Sequence, residues 1–198
     1  MPIVLNGSGT ITGVSVGGLP DGIVDTDMIA NSNVTAGKLA SGVGGKVLQY
    51  KVAKKNDTAS SAATTMVEIS PDLRVTITPT SASNLIVIQA QLTANGYGNY
   101  GCAAMIKKNT ASDFSGTTSN VYEPSTFTAA THGNTIMFGY INGYMQSTLV
   151  QVYETAGNTT ARTYSPFYHA SATSTIYLNQ YGTGYMGTST MIVMEVAA

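Results

Sequence analysis

An all-β fold, with a C-terminal antiparallel β-sandwich of jelly-roll type behind an extended N-terminal region, is what this sequence predicts, and three observations predict it. From Lys46 onward, apolar and polar residues alternate with period two in short runs. Those runs are rich in Val, Ile, Thr and Tyr and are separated by clusters of Gly, Asn, Ser and Thr. No segment sustains a 3.6-residue period over three turns.

Taken in order, Leu48, Tyr50 and Val52 alternate with polar positions in KVLQYKVA (46–53), which predicts a strand with Tyr50 turned to the core. In LRVTITP (73–79), Leu73, Val75 and Ile77 alternate with Arg74, Thr76 and Thr78. LIVIQAQLTA (85–94), CAAMIKK (102–108), NTIMFGYINGYM (134–145), TLVQVYET (148–155), TIYLNQY (175–181) and TMIVMEV (190–196) continue the series. So many short strands in one stretch match a jelly roll or related double sheet.

Before residue 46 the pattern breaks. Ten glycines between Gly7 and Gly45 interrupt every apolar run, so no element longer than about one turn is expected there. Within this region VDTDMIA (24–30) nearly repeats as VTAGKLA (34–40). A ten-residue unit holds at most an extended piece and one helical turn, too little to bury Val24, Ile29, Val34 and Leu39 within one chain. Its partner is therefore another copy or a larger assembly. Asp25 and Thr35 are placed to cap one helical turn each.

Composition narrows the function. Charged residues are 10% of the chain, nine basic and ten acidic, against about 25% in a typical domain, and beyond Pro124 only Glu154, Arg162 and Glu195 are charged. A nucleic-acid partner needs a concentrated basic surface, which is missing. So few charges point instead to surface buried between subunits. Cys102 stands alone, so no intrachain disulfide is expected. No basic residue precedes Lys38 and the longest apolar runs are short, so neither a secretory signal nor a membrane insertion is expected, and synthesis is in a cytoplasm. The sequons at Asn6, Asn33, Asn56 and Asn158 then read as accidents of a Ser/Thr/Asn-rich chain.

No enzyme motif survives inspection. GYGNYG (96–101) fits the dinucleotide fingerprint, but that loop needs a helix after its third glycine and CAAMIKKN reads as a strand. His132 and His169 have no partners at metal-ligand spacing, and a triad from Asp113 or Glu123 with His132 lacks a nucleophile motif. No cofactor, metal or catalytic residue is expected. Twelve tyrosines with no tryptophan are more telling. They gather in GYGNYG, GYINGY (139–144), RTYSPFYH (162–169) and NQYGTGYMG (179–187), read as loops in which rigid amphipathic rings sit among small polar residues, a composition suited to binding. Tyr97, Asn99, Tyr100, Tyr181, Thr183 and Tyr185 are the candidate contacts, because neighbouring glycines leave these rings accessible.

Three stretches carry a family resemblance: the opening MPIVLNGSGTITGVSVGGLPDGIV, the repeat VDTDMIANSNVTAGKLASGVGGKVLQ, and two pieces of the C-terminal part, SPDLRVTITPTSASNLIVI (70–88) and TIYLNQYGTGYMGTSTMIVMEVAA (175–198). They resemble the tail-fibre and related virion-fibre proteins of tailed bacteriophages, especially marine and cyanobacterial ones. The resemblance implies a homotrimeric virion fibre: residues 1–23 attach to another virion protein, 24–45 form a short stalk, and 46–198 form the head. In this reading Ile3, Val4, Leu5, Ile11, Val14 and Val16 anchor the chain, and Val24, Ile29, Val34 and Leu39 from three chains meet at the axis. The head adheres, without catalysis, to a host surface glycan or protein. A head fibre or capsid-decorating protein is the alternative, and a glycan-cleaving fibre is disfavoured by the scarcity of Asp and Glu after residue 123.

Overall fold

The period-two runs that follow Lys46 form strands in the computed structural model, which describes residues 4–5, 11–12, 33–35, 38, 46–68, 70–97, 102–121, 136–138, 145–170, 175–181 and 185–198. The chain divides into two units, Met1–Gly45 and Lys46–Ala198. In the first, β1 (Val4–Leu5) pairs antiparallel with β2 (Ile11–Thr12), which places the expected anchor residues Val4, Leu5 and Ile11 on one strand pair. The Lys38 N–H donates to the Thr35 carbonyl at 2.9 Å, closing one turn. Val34 is exposed, and Ile3, Val14, Val16, Val24, Ile29 and Leu39 lie outside the described residues.

The second unit carries β3 (Val47–Lys55), β4 (Ala59–Ser61), β5 (Val67–Glu68), β6 (Val75–Ile77), β7 (Leu85–Tyr97), β8 (Cys102–Asn109), β9 (Thr118–Asn120) and β10 (Ile136–Phe138). These are followed by β11 (Gln146–Thr155), β12 (Arg162–Ala170), β13 (Thr175–Leu178), β14 (Gln180–Tyr181), β15 (Tyr185–Met186) and β16 (Ser189–Val196). In this unit the described helical content is one 3-10 turn, Pro71–Leu73, capped by the Ser70 side chain accepting from the Asp72 N–H. All pairings are antiparallel.

Two four-ply sheets result. In the first, β7 is flanked on one side by β11 and on the other by β16 and β13 end to end, with β3 and β4 outside them. In the second, β12 and β8 are central, with β6 and β5 beside β12, and β9 and β10 beside β8. The faces turned together bury Ile86, Ile88, Ala90 and Leu92 of β7, Met191 and Val193 of β16, Val150 and Val152 of β11, Ile176 and Leu178 of β13, and Leu73, Val75, Ile77 and Ile106. This is an all-β antiparallel sandwich.

Two expectations fail here. RTYSPFYH is not a loop but most of β12, a central strand whose Tyr164 and Tyr168 are fully buried. Pro166 and the polar neighbours disguised a period-two pattern in which Tyr164, Pro166 and Tyr168 share the inward face. Tyr50 is not core: it is 58% exposed, beside Leu48 and Val52, also exposed. The sandwich covers the other face of β3, where Lys55 is buried between Asp57 and Asp72 and Gln49 reaches Glu195.

Candidate functional site

Strand register gives the second unit two distinct ends. Val47 lies opposite Val196, and Val196 opposite Leu85, so the entry of the chain and its last strand share one end. There the Ala197 N–H donates to the Lys46 carbonyl at 2.7 Å. At the far end Tyr97 lies opposite Thr175, Phe138 and Ala170 both lie opposite Cys102, and Gln146 lies opposite Ala94. The strand termini that flank residues 98–101, 139–145 and 171–174 are therefore gathered at that end. Two of these connections carry the glycine-flanked Tyr100, Tyr140 and Tyr144.

Four residues short of that end, beside Thr93, the sheet bears a branch. The chain leaves β13 at Asn179, runs through the β14–β15 hairpin and rejoins the sheet as β16. Asn179 is fully buried with φ of 57°, a left-handed conformation that asparagine tolerates better than most side chains. Every polar group it has is engaged. Its amide nitrogen donates to the Lys55 and Asp57 carbonyls at 2.9 and 3.0 Å, its Oδ1 accepts from Ser189 Oγ at 2.7 Å, its N–H donates to the Thr93 carbonyl at 2.7 Å, and its carbonyl accepts from the Gly187 N–H at 3.0 Å. Ser189 Oγ in turn accepts from the Thr93 N–H at 3.0 Å. A Cβ on Gly187 would stand 2.5 Å from Thr93 Cγ2, so any larger residue at the base of the hairpin must displace Thr93. A network so fully satisfied holds the hairpin at a defined angle.

Of the candidate contacts, Tyr97 is the last residue of β7, and Tyr181 and Tyr185 are directly opposed across the hairpin. Met186, next to Tyr185, is 66% exposed. Asn99, Tyr100 and Thr183 lie outside the described residues. Gly96 and Tyr97 of GYGNYG belong to β7, and a strand, β8, begins at Cys102 where a nucleotide site needs a helix. Asn179 and Ser189 were not among the predicted residues. Their only signal was an Asn interrupting TIYLNQY.

The near end is built differently. A cavity of about 360 Å³ opens between Lys108, Thr117, Ser119, Asn158, Thr160 and Arg162. Its charges are already committed. Arg162 donates to the Ala156 and Asn158 carbonyls at 2.6 and 3.0 Å and to Asn158 Oδ1 at 2.7 Å, while Glu154 takes Lys108 Nζ at 2.5 Å and the Tyr164 hydroxyl at 2.6 Å. Burial first, and then Glu154, push the Tyr164 hydroxyl far above its usual range. These groups staple the loop between β11 and β12. Glu195 on β16, also fully buried, is a second staple. Burial pushes its carboxyl up, but donors from Asn84 (2.7 Å), the Thr80 N–H (2.6 Å), the Thr80 hydroxyl (2.8 Å) and Gln49 (2.5 Å) outweigh that and hold it at about 2. Among the described residues no three His, Cys, Asp or Glu side chains cluster as metal ligands, and no helix is long and apolar enough to cross a membrane.

No protein-family model and no curated protein sequence matches the chain. Among solved structures it is similar to one titled as infectious bursal disease virus Gt strain, with 13% identity and a TM-score of 0.38 over 76% of this chain and 38% of that one. It is also similar to the infectious bursal disease virus VP2 subviral particle, with 12% identity and a TM-score of 0.35 over 77% and 38% of the two chains. The T13 viral particle of the same virus aligns with 12% identity and a TM-score of 0.37 over 76% and 36%. The chain thus spans less than two fifths of the chains it resembles. The fold assignment rests on the strand pairing rather than on these likenesses.

Proposed function

We propose that this chain is a virion structural protein, specifically a tail fibre of a tailed bacteriophage that adheres to the host cell surface as a homotrimer. One observation carries the reading: in the second unit Val47 and the last strand share one end, and the strand termini that flank the tyrosine-bearing stretches 98–101 and 139–145 gather at the other. A fibre needs that arrangement, because the attached end and the touching end must be opposite. Tyrosine rings on a stapled hairpin offer apolar faces and hydroxyls at low ordering cost, and three copies together turn modest single-site affinity into firm attachment. The ligand class is a host surface glycan or protein. Residues 1–23 dock into another virion protein, and 24–45 form the trimeric stalk. The adhesion is non-enzymatic, a reading supported by the engagement of Glu68, Glu154 and Glu195 in structural pairs.

The test is adsorption of the labelled full-length chain to host cells. Replacing Tyr181 and Tyr185 together by Ala is expected to lower bound label at least tenfold while the melting temperature stays within a few degrees, as the reading requires of rings that serve contact rather than the core. Unchanged adsorption with unchanged stability contradicts the adhesive role and favours a head fibre or capsid-decorating protein.

A further inference from the structure

Among the described residues, the outer face of the first sheet carries apolar side chains that no part of the sandwich covers. Across its four strands the row Tyr50, Met194, Val87, Tyr153 runs from edge to edge, each residue opposite the next. The adjacent row is Val52, Ile192, Gln89, Gln151. Exposure is greatest at the two edges: Leu48, Tyr50 and Val52 on β3 are 46%, 58% and 52% exposed, and Leu149 and Tyr153 on β11 are each 47% exposed. Four strands about 4.8 Å apart and about seven residues long make this face roughly 450 Å² in all, with Tyr50, Val52, Val87, Leu149, Tyr153, Ile192 and Met194 as its apolar part.

The face also says what chemistry fits it. Its four rows carry one charge, Lys54 on β3 opposite Thr190, and no carboxylate among the described residues. Its amides are paired internally, Gln89 Nε2 to Gln151 Oε1 at 2.9 Å and Gln91 Nε2 to Ser147 Oγ at 2.6 Å. A charged partner gains nothing there, whereas the same uncharged face on another copy meets it without desolvating an ion. The period-two pattern of β3, which called for burial of Leu48, Tyr50 and Val52, is then satisfied between chains.

We propose that this face is turned toward a threefold axis, so that the β3 edge of each copy packs against the β11 edge of the next. The inference rests on the trimeric fibre reading and locates its contact in the head. Rotation about an axis along the strands keeps every residue at its own height. Tyr50 and Tyr153, the two ends of one row, therefore meet across each of the three contacts, which are heterologous and close into a ring.

The experiment is the mass of the full chain by light scattering, with wild type beside Tyr50→Lys and Tyr153→Lys and circular dichroism checking that each is folded. On serial dilution, wild type is expected to hold three times the 20.5 kDa chain mass, and each folded variant, left with the contact of residues 24–45 alone, to fall toward one chain mass at concentrations at least tenfold higher. A trimeric wild type with both variants as resistant to dilution as it is overturns this contact but leaves the fibre reading standing, whereas a monomeric wild type overturns both. Should the lysine variants misfold, mild oxidation of the Tyr50→Cys/Tyr153→Cys chain decides. Covalent trimers beyond the wild-type background are expected from the double variant and none from either single one. Products that stop at two chains, or none above background, overturn the arrangement.

Discussion

Glu195 offers a quantitative check on how the sandwich is closed. Its buried carboxylate gathers four donors from Gln49, Thr80 and Asn84, tying β3, β16 and the loop before β7 at the end where the chain enters. With its value depressed from 4.5 to about 2, the ionised form contributes about 3 kcal/mol to the folded state. A depressed carboxylate stabilises fully above the unfolded value and loses that contribution as pH falls through the folded one. The contribution is thus complete at pH 7, about half gone at pH 3 and absent below pH 2. Glu195→Gln keeps the shape and one acceptor oxygen but removes the charge. Urea unfolding followed by circular dichroism, at one protein concentration, is expected to show the wild type ahead of the variant by about 3 kcal/mol at pH 7 and by about half that at pH 3. Asp57, Asp72 and Asp113 also titrate low, but they do so in both chains and cancel in the comparison. A gap that stays constant between the two pH values refutes the reasoning.

Two further substitutions probe the fold around the display end and the core. Gly187→Ala is expected to cost roughly 1–3 kcal/mol by overpacking against Thr93, and Thr93→Ser, which removes Cγ2 but keeps the hydroxyl that bonds the Thr188 carbonyl at 2.8 Å, is expected to restore most of it in thermal melts of the double variant. Tyr168→Phe removes a fully buried hydroxyl that has no hydrogen-bond partner among the described residues, so its melting temperature is expected to equal or exceed the wild type's, and a loss of more than about 1 kcal/mol contradicts that geometry.

Much of the sandwich was legible because burial and periodicity coincide in it. Leu73, Val75 and Ile77 alternate in the sequence and are all buried. The strands β7, β8, β11 and β16 follow the runs that predict them to within a few residues. Legibility failed where a strand carries polar or ring-bearing inward residues, as β12 does with Tyr164, Pro166 and Tyr168, because composition then resembles a loop. It failed in the opposite sense at β3, whose period was read correctly but whose apolar side faces away from the chain's own core. Periodicity reports which side wants burial, not what buries it. For the candidate site, local glycines pointed to Tyr181 and Tyr185, yet the convergence of distant connections on one end depends on pairing across the sheets. The Asn179 staple depends likewise on partners more than a hundred residues away.

The central claim is that this chain is a fibre with its entry end toward the particle and its tyrosine-bearing end outward. Gold-labelled antibody against the purified chain, imaged on intact virions by electron microscopy, tests it most directly. The account predicts gold on slender projections at the tail. Gold spread over the capsid shell, or absent from the particle, contradicts it.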